Sequence, residues 1–164
     1  MRSMTSAIYP GSFDPVTRGH LHVVEHGLAM FEHLTVAVGI NDHKRPTFTT
    51  DERIDMLREV LPFDDRLTIV AIAGLVVDYC RKHRIGVILR GSRTTADAET
   101  ERQLALMNRR LEQSVATVVV PSADHGYVSS SLMREVVGNG GDVNGLLHPS
   151  VERRLRDRSP AHRP

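Results

Sequence analysis

Ala7-Ile8-Tyr9 is followed by Pro10-Gly11-Ser12-Phe13-Asp14-Pro15-Val16-Thr17-Arg18-Gly19-His20, and then by Leu21, Val24, Leu28 and Phe31 at spacings of three and four. A short apolar run, a loop punctuated by Gly and Pro, and an amphipathic helix are thus laid end to end. The same order recurs outward from this stretch. Further apolar runs of strand length stand at 34–40, 67–72, 87–89 and 117–120, several of them near-continuous and rich in Val and Ile, the pattern of strands buried on both faces. Between them Ile54, Leu57 and Leu61 repeat with helical period behind a capping box of Thr49 and Glu52. Helices are also predicted at 75–83, at 97–111, at 132–137 with Gly140 and Gly141 as the stop, and after Pro149. Five strands alternating with helices predict an α/β fold, a five-stranded parallel sheet with helices on both faces.

The chain has 164 residues, 40% hydrophobic and 25% charged, so disordered and fibrous classes are excluded and a single domain spanning 1–164 is expected. Its basic, Pro-containing end, 153–164, is expected to fray. Lys plus Arg number 21 against 20 Asp plus Glu, a net charge of +1, and aromatics are only 4%. That balance gives no field for nucleic acid or an anionic bilayer, so neither is expected as a partner. Cys80 is the only cysteine, which rules out an internal disulfide and reads as small core filler. With neither a signal-peptide core nor an apolar span of membrane length, the protein is expected to be soluble and cytoplasmic.

In a parallel α/β sheet, ligands sit beyond the carboxyl ends of the strands. The first such loop, 10–20, offers glycines and the amides of a following helix, a place for phosphate, although a plain structural turn fits the loop alone equally well. It is neither a Walker loop nor a Gly-x-Gly-x-x-Gly fingerprint. Lys44 and Arg45 follow the second strand, Arg90-Gly91-Ser92-Arg93 the fourth, and Gly126-Tyr127-Val128-Ser129-Ser130-Ser131 the fifth, so cations, amides and hydroxyls converge on one crevice. His20 opens the first helix beside the glycine loop and can act as a donor to charge growing on phosphate. His22-Val-Val-Glu-His26 matches an inverted zinc-peptidase pattern. At about 100° per residue, however, both histidines point away from the stripe of Leu21, Val24, Leu28 and Phe31. A surface coincidence is the expectation.

The loop Tyr9 to His20 resembles the signature of the HxGH nucleotidyltransferases in a Thr-x-Gly-His form, and within them the bacterial phosphopantetheine adenylyltransferase family. Lys44 with Pro46 and Phe48, Arg90-Gly-Ser-Arg93, Glu101, Met107-Asn-Arg109, Val128 to Ser131 and Gly140-Gly-Asp-Val143 resemble that family's segments in order and spacing over about 7–155. The resemblance implies a Rossmann-like, doubly wound domain that moves the adenylyl group of ATP to 4′-phosphopantetheine. His20 would stabilise the transition state, with Lys44 and Arg93 beside it. ATP would meet Ser12, Phe13, His20, Gly91, Ser92, Arg93, Glu101, His125, Gly126, Tyr127, Val128, Ser129, Ser130 and Ser131. Phosphopantetheine would meet Ser12, Lys44, Val76, Arg90, Leu104, Met107 and Asn108. Magnesium would ride on the ATP phosphates without protein ligands, coenzyme A would be a feedback ligand, and the assembly would be a homohexamer. Ser92 stands where the family usually has Leu, Ala98 and Thr100 where it has aromatics, and His148 where it more often has an apolar residue. Two other readings use the same loops: transfer to nicotinamide mononucleotide, and a nucleotide or coenzyme A sensor without turnover.

Overall fold

A computed structural model describes residues 6–41, 45–122 and 126–159. Five parallel strands, β1 (Ser6–Gly11), β2 (His33–Gly39), β3 (Leu67–Ile72), β4 (Val87–Ser92) and β5 (Ala116–Pro121), form one sheet in the order β3-β2-β1-β4-β5. The helices between them are α1 (Arg18–Met30), α2 (Thr50–Val60), α3 (Val76–His83) and α4 (Thr95–Leu111), and α5 (Ser130–Gly138) and α6 (Pro149–Arg158) follow β5.

Alternation along the strands divides the core in two. Tyr9, Val36, Val38, Val87 and Leu89 pack with Val23, Val24, Met56, Leu57, Met133 and Val151, so α1, α2, α5 and α6 cover one face. Ile8, Ala37 and Ile88 pack with Val77 and Cys80 of α3 on the other, while α4 lies against β4 and β5. Helices on both faces follow from this period of two, the fold class the alternating pattern predicts. Cys80 is fully buried, and burial pushes its thiol up to about 11, which suits inert core filler. Gly27 lets α1 settle on the sheet: a Cβ there would lie 2.8 Å from Leu34 and Leu89 methyls.

Three expectations need correction. β3 and β5 are the sheet edges and are mostly half-buried, because an edge strand lacks one flanking neighbour; double burial belongs to β1, β2 and β4. The buried stripe of α1 is Val23, Val24 and Gly27, with Leu21, Leu28 and Phe31 packed only partly against the core. Of the stretch 153–164, read as a fraying tail, 153–158 form the last turns of α6, held by Arg154–Glu59 at 3.0 Å, by Arg156–Glu152 and by the Arg158–Glu52 contact, while 160–164 lie outside the described residues.

The local signals otherwise act where the residues stand. Thr49 Oγ1 accepts from the Glu52 amide while Glu52 accepts from the Thr49 amide. Gly140, at φ 76°, ends α5 with its own amide on the Val137 carbonyl and that of Gly141 on Val136, a Schellman closure. His148 caps α6, its Nδ1 accepting from the Ser150 amide at 3.3 Å. The role of that departure from the family pattern is therefore a helix start.

Candidate active site

The order of strands reverses direction between β1 and β4, the topological switch point where a doubly wound sheet opens a crevice. The opening is visible in the register: β1 pairs with β2 from Ser6 to Gly11, but with β4 only at Ala7 and Ile8. Beyond those pairs the strands part, and Arg90 Nη1 reaches across to the Pro10 carbonyl at 3.1 Å. A cavity of about 540 Å³ fills the gap.

The first loop forms the cavity floor. Phe13 takes the left-handed region, φ 49°, which costs an L residue on the order of 1 kcal/mol. Its ring is held edge-on against Tyr9, with centroids 5.4 Å apart, and against His20, 4.9 Å apart. Gly11 permits this fold-back, since a Cβ there would lie 2.9 Å from the Phe13 ring. Buried Asp14 accepts from the Thr47 and Phe48 amides at 2.8 and 2.9 Å, tying the loop after β2 to the loop after β1.

Thr17 is the N-cap of α1, and its amide donates to His20 Nδ1 at 2.9 Å. Its hydroxyl also lies 3.2 Å from Nδ1. An amide can only donate, so Nδ1 is the unprotonated nitrogen and the ring proton of neutral His20 sits on Nε2. Burial first, then the charges of Arg93 and Arg90, hold His20 down from 6.5 to about 4. It is therefore an uncharged donor at neutral pH. Tyr9, also on the cavity wall, is pushed up by burial and stays a phenol.

Charge is arranged around this donor. Arg90 holds Glu101 through a two-pronged bond, Nε to Oε2 at 2.7 Å and Nη2 to Oε1 at 2.9 Å. Burial opposes the charge on Arg90, but the Glu101 contact outweighs it and raises its pKa. Arg93 lies 3.2 Å from Asp97, and Arg134 donates to the Asp14 carbonyl. The start of α5 faces the start of α1: Ser129 caps α5, accepting from the Leu132 amide, and Ser130 donates to the Pro15 carbonyl at 2.8 Å. Two helix N-termini and three arginines thus enclose one space, a site for a polyanion.

Of the residues expected from sequence, Ser12, Phe13, His20, Arg90, Gly91, Ser92, Arg93, Glu101, Val128, Ser129, Ser130 and Ser131 line this cavity. Gly126 and Tyr127 lie outside the lining, with Tyr127 exposed. Val76 is packed partly against the α3 face, while Leu104 and Met107 are exposed along α4 beyond Glu101, and Asn108 follows them there, half-buried. Lys44 and His125 lie outside the described residues. Sequence reading gave no individual role to Tyr9, Thr17, Asp97 or Arg134, all on the cavity wall. Thr17 and Arg134 carried a signal: the first precedes the helix as its cap, and the second is a cation one turn after three serines. His22 Nε2 donates to the Pro121 carbonyl at 3.3 Å. Among the described residues no group of three His, Cys, Asp or Glu is placed to hold a metal ion.

A parallel sheet split at its switch point, with a neutral histidine donor at a helix start and arginines on opposing loops, defines a nucleotidyltransferase-type site. Comparison with known proteins agrees. The cytidylyltransferase-like family model matches residues 8–136. Phosphopantetheine adenylyltransferases of Heliobacterium modesticaldum and Geobacter sulfurreducens are each 43% identical to the chain, over 94% and 93% of it and 93% of their own lengths. A solved structure of the Plasmodium falciparum nicotinic acid mononucleotide adenylyltransferase complexed with NaAD shares the fold, with TM-score 0.62 at 16% identity over 93% of each chain. The chain belongs to the phosphopantetheine adenylyltransferase family within the cytidylyltransferase-like proteins.

Proposed function

We propose that the protein transfers the adenylyl group of ATP to 4′-phosphopantetheine, giving dephospho-coenzyme A and pyrophosphate, the penultimate step of coenzyme A synthesis. The observation that carries this reading is the neutral His20, fixed by Thr17 with its Nε2 proton free for an acceptor, in one cavity with Arg90 and Arg93 where the sheet splits. An oxygen of the phosphopantetheine phosphate attacks the α-phosphorus of ATP, the bond to the bridging oxygen breaks, and pyrophosphate leaves. A phosphate dianion is already a nucleophile, so the step needs no general base. What the site must supply is alignment and donors aimed at charge that grows in the transition state. His20 fits that task because its neutral ring keeps the Nε2 proton as a donor throughout the neutral pH range.

In this reading ATP lies against Ser12, Phe13, Gly91, Ser92, Arg93, Glu101 and the segment His125 to Ser131. Phosphopantetheine takes Ser12, Lys44 and Arg90 with its phosphate and runs its arm past Val76 and along Leu104, Met107 and Asn108 of α4. The carboxylates on the cavity wall, Asp97 and Glu101, are already bonded to Arg93 and Arg90. The donor set therefore suits a divalent cation carried on phosphate oxygens rather than one caged by side chains. Magnesium, bound in that way, neutralises charge on the triphosphate. Coenzyme A, which ends in the same pantetheine arm, is the expected feedback ligand. The working assembly is a homohexamer in the cytoplasm. No helix of the described residues is long and apolar enough to cross a membrane.

The role of His20 is tested by His20→Ala. Loss of one transition-state donor lowers turnover by on the order of a hundredfold, with ATP affinity by calorimetry changed only a few-fold. Turnover close to that of the unaltered protein would remove His20 from the reaction.

A further inference from the structure

Arg53 is a buried cation, 4% exposed, on the first turn of α2 and off the cavity wall. A guanidinium is expensive to bury and is retained only where its donors are used. Its donors are used on three separate elements. Nη1 donates to the Ser12 carbonyl at 2.8 Å and to the Gly39 carbonyl, at the end of β2, at 3.3 Å. Nε donates to the Thr49 carbonyl at 3.3 Å, and Nη2 to Thr50 Oγ1 at 3.1 Å. Every one of these acceptors is a neutral oxygen, and two of them belong to the carboxyl ends of neighbouring strands.

The bond to Ser12 has a geometric consequence. The Ser12–Phe13 peptide is trans, since among the described residues only Asp14–Pro15 is cis. In a trans peptide the C=O and the following N–H point in opposite directions. Drawing the Ser12 carbonyl back onto Arg53 turns the Phe13 N–H the other way, toward the cavity that Ser12 and Phe13 both line. Rotated by half a turn, the same peptide would present a carbonyl oxygen to an anion. Phe13 also sits at positive φ, a conformation the chain keeps only when its surroundings hold it.

We propose that Arg53 is a positioning residue for adenylyl transfer, clamping the Ser12 carbonyl so that the Phe13 amide is presented to the phosphates of the nucleotide. The inference rests on the reading of the cavity as the ATP site. Arg53 touches neither substrate; it acts through one peptide group. Lys at 53 keeps the charge and can hold one carbonyl, but cannot span Ser12, Gly39 and Thr49 as the planar fork does. Met keeps the length of the stem and none of the bonds.

The test compares Arg53→Lys and Arg53→Met with the unaltered chain, by steady-state release of pyrophosphate and by calorimetric binding of ATP, with circular dichroism for the fold. Expected is a rank of Arg, Lys, Met in kcat/KM for ATP, with Lys down about threefold to tenfold and Met by on the order of a hundredfold, roughly the worth of one charge-assisted contact and one misaimed donor. The KM for phosphopantetheine should stay within a few-fold. Where Arg53→Met does not fold, Arg53→Lys decides by the same constants. A folded Arg53→Lys or Arg53→Met with unaltered ATP constants overturns the proposal, as does an equal loss toward both substrates, which marks a merely structural residue. If the unaltered chain itself neither binds ATP nor releases pyrophosphate, the function assigned to the cavity has failed, not the clamp.

Discussion

His20 shows how much one side chain owes to its neighbours. The sequence places it at a helix start beside a glycine loop, and that much was legible in Thr17-Arg-Gly-His20. Its tautomer was not, because the partner that fixes it is a backbone amide rather than a residue type. Nor was its charge state, which depends on burial against Phe13 and on arginines from β4 and the loop after it. The depressed pKa has a consequence for stability. A histidine that titrates near 4 when folded and near 6.5 when unfolded is neutral in both states above 6.5. Between those values the unfolded chain binds the extra proton, so acidification from 6.5 toward 4 removes stability. Replacing the group by His20→Gln removes that contribution. The drop in urea midpoint from pH 7 to pH 5 should therefore be smaller in His20→Gln than in the unaltered chain; equal drops would show that His20 is not held neutral.

Among the elements, those with strong periodicity and a chemical start or stop were readable in advance, α2 by its Thr49 and Glu52 box and α5 by Gly140 with Gly141. The edge strands were less so, because Val118 and Val119 carry the same residue type as a central strand and only the strand order tells that one side is open. The face of α1 was misjudged by about one position, since the small Gly27, silent in an apolar pattern, is where the helix comes closest to the sheet. Ala98 and Thr100, where the family has aromatics, are exposed on α4, so their small size leaves no gap in this chain's own core. α4 also exposes Leu104, Leu106, Met107 and Leu111, each more than two-fifths accessible. Apolar surface of that extent, beyond the part given to the pantetheine arm, suits burial in an assembly, which supports the proposed homohexamer. Sedimentation should give a mass six times 18.3 kDa; a stable monomer at micromolar concentration would contradict it.

At the scale of the whole molecule, the site is a product of topology. Strand order 3-2-1-4-5 puts the loops after β1 and β4 side by side, although about 80 residues separate them in sequence, and α5 returns to close the third wall. The alternation of strands and helices predicted a crevice at the carboxyl ends, and twelve of the residues implied by the family resemblance line it. The ties that fix its shape were not legible: Asp14 to the Thr47 and Phe48 amides, and Arg53 to Ser12, all reach main-chain atoms that no side-chain motif encodes. In the proposed reading, donors arranged around a phosphate chain serve adenylyl transfer, and the loops with α4 choose the acceptor. The most direct test is pyrophosphate release from ATP and magnesium with 4′-phosphopantetheine, with nicotinamide mononucleotide, or with no acceptor, measured in parallel. The account predicts release with phosphopantetheine alone. Release only with the mononucleotide would contradict the acceptor, and ATP binding without release in any of the three would contradict catalysis itself.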